Sequence, residues 1–189
     1  MSIAVKRLLS YIIDMVIIFL IIVLVKQVFH MDNYNLEISN LNNQYYEKII
    51  TTSEYYNEYA SMIHKTDMNN LGMNIFITLL LIVNFIVIPY LTNGQTIGQK
   101  LFKIKIIKEN EIKIDDFIGR SVIINGIGYM LFMFIILYLT SDMLYFILIN
   151  ILGFFQIIVV IINGFMVLYS KQHCGIADNF TNTRIEEIK

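Results

Sequence analysis

Four long apolar runs constrain this chain more than anything else in it. They extend from Leu8 to about Phe29, Gly72 to about Thr92, Ser121 to about Thr140 and Leu144 to about Tyr169. An apolar stretch of about 18 or more residues, rising about 1.5 Å per residue, covers a hydrocarbon core of about 30 Å. Backbone groups in hydrocarbon must be satisfied internally, and runs without alternation are not barrel strands, so each reads as a helix. The composition agrees: 57% of the 189 residues are apolar and 15% charged, against about 25% charged in soluble domains. Only Ser141, Asp142 and Met143 separate the last two runs, which predicts a helical hairpin. The first run follows Lys6 and Arg7 as a signal-peptide core would. Its length, its Asp14 and the lack of a small-x-small cleavage site identify it instead as a retained helix. The fold class expected is an all-α membrane protein, a four-helix transmembrane bundle forming a single membrane domain over 1–189.

Lys and Arg decide the orientation. With the N-terminus inside, the inner side carries Lys6, Arg7, Lys100, Lys103, Lys105, Lys108, Lys113, Arg120, Lys171, Arg184 and Lys189, and the outer side only Lys26, Lys48 and Lys65. The expectation is a multi-pass protein of the plasma membrane with both termini and Cys174 cytoplasmic. An extracytoplasmic loop covers 30–71 and a cytoplasmic loop 93–120. The outer loop carries Asp32, Glu37, Glu47, Glu54, Glu58 and Asp67. The spacing of Leu41, Tyr45, Lys48, Ile49 and Thr52 predicts a solvated helical cap; a receptor site for a cationic ligand is the alternative. In the cytoplasmic loop, Gly94 and Gly98 punctuate a turn. Phe102–Ile107 and Glu111–Ile114 then alternate with period two, predicting a short β-hairpin between helices 2 and 3. Asp115 or Asp116 caps the helix that follows.

Several function classes fall away. One Cys excludes a disulfide framework, and His30 and His64 lie on the opposite side from His173, so no metal is expected. A net charge of −1 makes no case for nucleic acid. Gly94, Gly98 and Lys100 do not have the spacing of a phosphate-binding loop. No Ser/His/Asp set, HExxH or catalytic carboxylate pair shares one compartment, so neither catalytic residues nor a cofactor are expected and the chain reads as no enzyme. The lack of Trp, with much Ile, Asn, Lys and Tyr, suggests an AT-rich bacterial genome.

Asp14 lies about 9 Å into the first run. An ionisable group there is costly and points to the bundle interior. Arg7, seven positions earlier, returns to nearly the same helix face, and Ser10 and Tyr11 lie one turn away as hydrogen-bonding candidates. Asn84, Asn125 and Asn163 fall in the same layer of the other three runs, roughly 6–12 Å from the cytoplasmic end. The four are expected to converge. Asn carbonyls and a carboxylate are suitable hard ligands for a small cation, so they form a candidate ion or proton site; interhelical polar glue is the alternative. Asn150 and Gln156 are expected to face neighbouring helices, and Gly126, Gly128 and Gly153 to allow close approach. Pro89 falls near the end of the second run, where a kink is tolerated.

Arg7-Leu-Leu-Ser-Tyr-Ile-Ile-Asp14, Gly94-Gln-Thr96-Ile-Gly98-Gln-Lys100, Arg120, and Asp178 with Thr183 resemble, in this order, the RDD family of integral membrane proteins. Arg7, Asp14 and Asp178 match the Arg and two Asp for which that family is named. The chain departs from the pattern at Gln99, where a basic residue is usual, and at Ala177, where His is common. The resemblance implies a four-helix membrane protein, and family members include both cation/proton antiporters and partners of other membrane proteins. Two functional readings follow. One is a small transporter of a monovalent cation or proton, with a homo-oligomer as an expected form, in which Asp14 titrates. The other is a non-catalytic partner or modulator of another membrane protein, in which Arg7, Asp14 and Asp178 form a structural polar network within the lipid bilayer.

Overall fold

The structure is a computed structural model in which residues 1–27 and 35–188 are described; the expected end of the first run at Phe29, and the loop residues His30 and Asp32, lie outside the described residues. Helix α1 (Ile3–Lys26) starts at Ser2, whose side chain accepts from Val5 N. Many of its apolar side chains stay exposed, Phe19, Leu20 and Leu24 among them, as lipid contact requires. Helices α2 (Asn35–Tyr46) and α3 (Thr52–Asn69) form the helical cap expected of the loop. A reciprocal Thr51–Glu54 capping box starts α3.

The second run is α4 (Leu71–Ile82), a π-helical turn (Val83–Val87) and α5 (Ile88–Leu91). The π turn has a local cause. Pro89 has no N–H to give Phe85 O, one turn back, and its ring crowds that carbonyl. The backbone widens, and Ser121 Oγ donates to Phe85 O instead, at 3.2 Å.

The third run departs from the single helix expected over 121–140. It consists of α7 (Ile114–Ile124) and α8 (Ile127–Leu139), bent by 70°. Gly126, between them, has φ +77°, a conformation that a residue without Cβ adopts at no steric cost. The apolar window runs across this break, which hydropathy alone does not resolve. The last run is one helix, α9 (Asp142–Tyr169). Among the described residues, three helical segments are thus long and apolar enough to cross a membrane, and four if the bent pair makes one span.

Between and after these segments lie α6 (Ile97–Leu101), β1 (Ile104–Ile107), α10 (Ile176–Thr181) and β2 (Arg184–Glu187). The hairpin expectation is corrected here. β1 pairs antiparallel with β2, Ile106 opposite Ile185, and Glu111–Ile114 forms no strand. That second alternation instead leads into α7, whose Asp116 accepts from Lys113 N (2.9 Å) and Lys108 Nζ (2.6 Å). The sheet sits beside the start of α1, where Lys6 pairs with Glu187 at 2.8 Å. Both ends of the chain therefore meet on one side of the molecule. Ile18, Leu81, Phe85, Ile106, Phe117 and Ile127 fill the core that joins this side to the helices.

Candidate functional site

Asp178 is 1% exposed at the third position of α10. From there its carboxylate reaches back to Gly175 N at 2.7 Å. Arg7 Nη2 donates to Oδ2 and Arg120 Nη1 to Oδ1, each at 2.5 Å. Arg7 also donates to the His173 carbonyl. Arg120 Nη1 further donates to Thr183 Oγ1 at 2.5 Å. Thr181 gives its proton to Ala177 O, so the Thr183 hydroxyl donates to Thr181 Oγ1 at 2.8 Å. Burial works against the charge on Asp178, but Arg120, Arg7 and the Gly175 N–H outweigh it and hold the carboxyl below the ordinary carboxylate range. The cluster ties α1, α7 and the segment after α9 together with two cations on one anion.

Asp14, 2% exposed, does a parallel job 82 and 84 residues along the chain. Its Oδ2 accepts from Thr96 Oγ1 at 2.5 Å and its Oδ1 from Gly98 N at 2.8 Å. Thr96 caps α6: its Oγ1 accepts from Gln99 N, and Gln99 Oε1 accepts from Thr96 N at 3.0 Å. Gly98 packs directly on α1, where a Cβ would fall 2.2 Å from Ser10 O. Gly94 makes the matching contact with β1. Its carbonyl accepts from Ile106 N at 2.8 Å, and its φ of +104° with a would-be Cβ 2.3 Å from Ile106 O admits only glycine.

A cavity of about 180 Å³ lies between these two clusters. Asp14, Asn125, Asn163, Arg7 and Arg120 all line it. Asn84, on the π turn, is buried within reach of the Asp14 carboxylate as expected, although it does not line the cavity. One expectation needs correction. Ser10 and Tyr11 do not bond to Asp14. Ser10 Oγ donates to Arg7 O at 2.8 Å, and Tyr11 faces Ile124 O at 3.5 Å, because the loop donors already occupy the carboxylate.

The sequence model of the RDD family matches residues 2–182. The chain belongs to the RDD family. Neither the curated proteins nor the solved structures compared with it gave a match.

In this RDD protein Arg7, Arg120, Asp178 and Thr183 meet in one cluster, and Asp14, Thr96 and Gly98 in the other, with Gly94 on β1. Lys100 stays exposed and joins neither. Gln99, at the position where a basic residue is usual, is buried and closes the α6 cap. Asn163 turns its Oδ1 toward Ala177 N, 3.5 Å away, at the start of α10. Of the other polar residues, Gln156 Nε2 does reach the neighbouring Ile123 O at 3.3 Å, whereas Asn150 is exposed and bonds within its own helix to Phe146 O. Ser121, Gln99 and Gly175 are participants that sequence reasoning missed. Only the Pro89 signal pointed indirectly to the first of them.

Proposed function

We propose that this RDD protein is a non-enzymatic multi-pass protein of the plasma membrane, termini in the cytoplasm, that acts as partner or modulator of another membrane protein. Arg7, Asp14 and Asp178 then serve as a structural network. The observation that supports this most is that every oxygen of Asp14 and Asp178 already faces a fixed donor of the chain. A cation entering the cavity also meets two guanidiniums that share one carboxylate, which disfavours it electrostatically. What the network holds in place is a charged platform, with Lys100, Lys103, Arg184 and Glu186 exposed. Such a surface suits a polar contact with another protein.

The reading as a cation/proton transporter has one observation in its favour: Asp14, Asn125 and Asn163 share a cavity, and Asn125 Oδ1 is buried without a hydrogen bond. Reconstitution in liposomes separates the two. The partner reading expects no pH-dependent cation flux above protein-free vesicles. Flux in the wild type that disappears in a folded Asp14→Asn variant would establish transport and overturn the partner reading.

A further inference from the structure

The same cavity holds hydrogen-bonding groups that the partner reading leaves unused. Its polar lining offers both donors and acceptors. Arg120 makes both of its hydrogen bonds through Nη1, which leaves Nε and Nη2 without a hydrogen bond among the described residues. Asn125 is 7% exposed, and its Oδ1 has no partner. The hydrogen bonds fix which amide atom that is. Ser121 Oγ gives its proton to Phe85 O, so it can only accept from Asn125, through Nδ2 at 3.4 Å. The atom of this cavity-lining side chain that has no partner is therefore an acceptor.

The rest of the lining is largely apolar, with Tyr11, Ile124, Val160 and Val167 prominent. Two of the lining residues, Leu8 on α1 and Leu168 on α9, are also exposed on the faces of apolar helices. They mark a lateral opening between α1 and α9 near the end of the spans where Arg7 sits. Gly164 of α9 lines the cavity too, and a Cβ there would meet nothing within 4 Å. Its missing side chain is what leaves this wall open.

We propose that this cavity is a binding site for the headgroup of an anionic phospholipid that carries hydroxyl groups, entered sideways from the leaflet on the side of the two termini. The phosphate meets the Nε and Nη2 groups of Arg120, and guanidinium N–H groups match phosphate oxygens well; Asp14 on the same lining balances the second guanidinium, and both its oxygens already accept from Thr96 and Gly98. A headgroup hydroxyl donates to Asn125 Oδ1, and the acyl chains leave between Leu8 and Leu168 into the bilayer. The site rests on neither reading of function above.

The test is native mass spectrometry of the delipidated full chain in detergent, titrated with phosphatidylglycerol, phosphatidylcholine and free glycerol phosphate. Two variants accompany the wild type. Gly164→Leu fills the cavity without touching either carboxylate cluster, and Asn125→Leu removes the acceptor. The wild type should prefer phosphatidylglycerol to phosphatidylcholine about fivefold, the value of the one neutral hydrogen bond from the headgroup hydroxyl. Both variants should lose that preference while keeping the wild-type unfolding midpoint. Should Gly164→Leu fail to fold, Asn125→Leu alone decides the matter. Equal retention of the two lipids overturns the proposal. So does a preference that survives the variants, which would place the lipid on the surface lysines. Glycerol phosphate binding as tightly as phosphatidylglycerol would replace the lipid by a free phosphate ester.

Discussion

Asp178→Asn is the substitution with the largest expected cost. It removes the charge that two buried guanidiniums share, on side chains only 9% and 7% exposed. Asn keeps one acceptor for Arg7 or Arg120 and turns an NH2 group on the other. It also leaves Gly175 N to compete for the single remaining oxygen. Breaking one buried pair by removing a partner costs about 3–5 kcal/mol, because the uncompensated charge stays buried. With two cations dependent on one anion, the loss should reach at least about that range. The triple variant Arg7→Met/Asp178→Leu/Arg120→Met removes all three charges together and should recover a large part of it, since apolar replacement of a whole buried ion cluster is often neutral. The assay is unfolding by added denaturing detergent, followed by circular dichroism. The pH dependence carries a sign as well. Asp178 is held below its ordinary value, so its contribution is complete above about pH 3.9 and disappears as pH falls from there through the lower folded value. A single variant within about 0.5 kcal/mol of wild type, or a triple variant less stable than the single one, would refute the reasoning.

Three further outcomes follow from the loop and the cap. Gly98→Ala puts a Cβ 2.2 Å from Ser10 O and should destabilise by about 1–3 kcal/mol, read as a lower unfolding midpoint in the same assay. Thr96→Val leaves Asp14 Oδ2 and Gln99 N without their partner and should cost about 1–3 kcal/mol, whereas Thr96→Ser should remain near wild type. At the opposite end, the ring nitrogens of His64 face Asp142 Oδ1 at 2.6 Å and Leu137 O at 2.8 Å, both acceptors, so only the imidazolium form donates to both at once. Burial lowers its affinity for the proton, but Asp142 and the Leu137 carbonyl outweigh this and raise it above the ordinary His value. The docking of α3 it provides is then full below about pH 6.5 and lost as pH rises through the higher folded value. Amide exchange in α3 that accelerates with falling pH, after correction for intrinsic rates, would contradict this.

Much of the site was legible because its chemistry is expensive. A carboxylate at Asp14 inside an apolar run demands a partner, and the RDD resemblance supplied Arg7, Arg120, Asp178 and the Gly94–Thr96–Gly98 loop as a set. The pairing within that set was not legible. Arg7 and Asp14 share a helix face, yet Arg7 pairs with Asp178, 171 residues away, and Asp14 with Thr96 and Gly98. Period-two alternation identified β1 but not its partner. Arg184–Glu187 is a four-residue strand of mostly charged residues, and its pairing comes from tertiary docking beside α1 rather than from pattern. The break at Gly126 left a glycine as its signal, but hydropathy averages over such a residue.

Amide hydrogen exchange over residues 96–107, compared between wild type, Asp14→Ala and Asp14→Asn, tests most directly whether Asp14 holds the loop. The Ala variant strips Gly98 N and the Thr96 hydroxyl of their acceptor, whereas Asn can still accept from Gly98 N while its amide donates to Thr96. Protection lost in Asp14→Ala and largely kept in Asp14→Asn is the predicted result. Protection unchanged in Asp14→Ala would contradict the structural role assigned to this carboxylate.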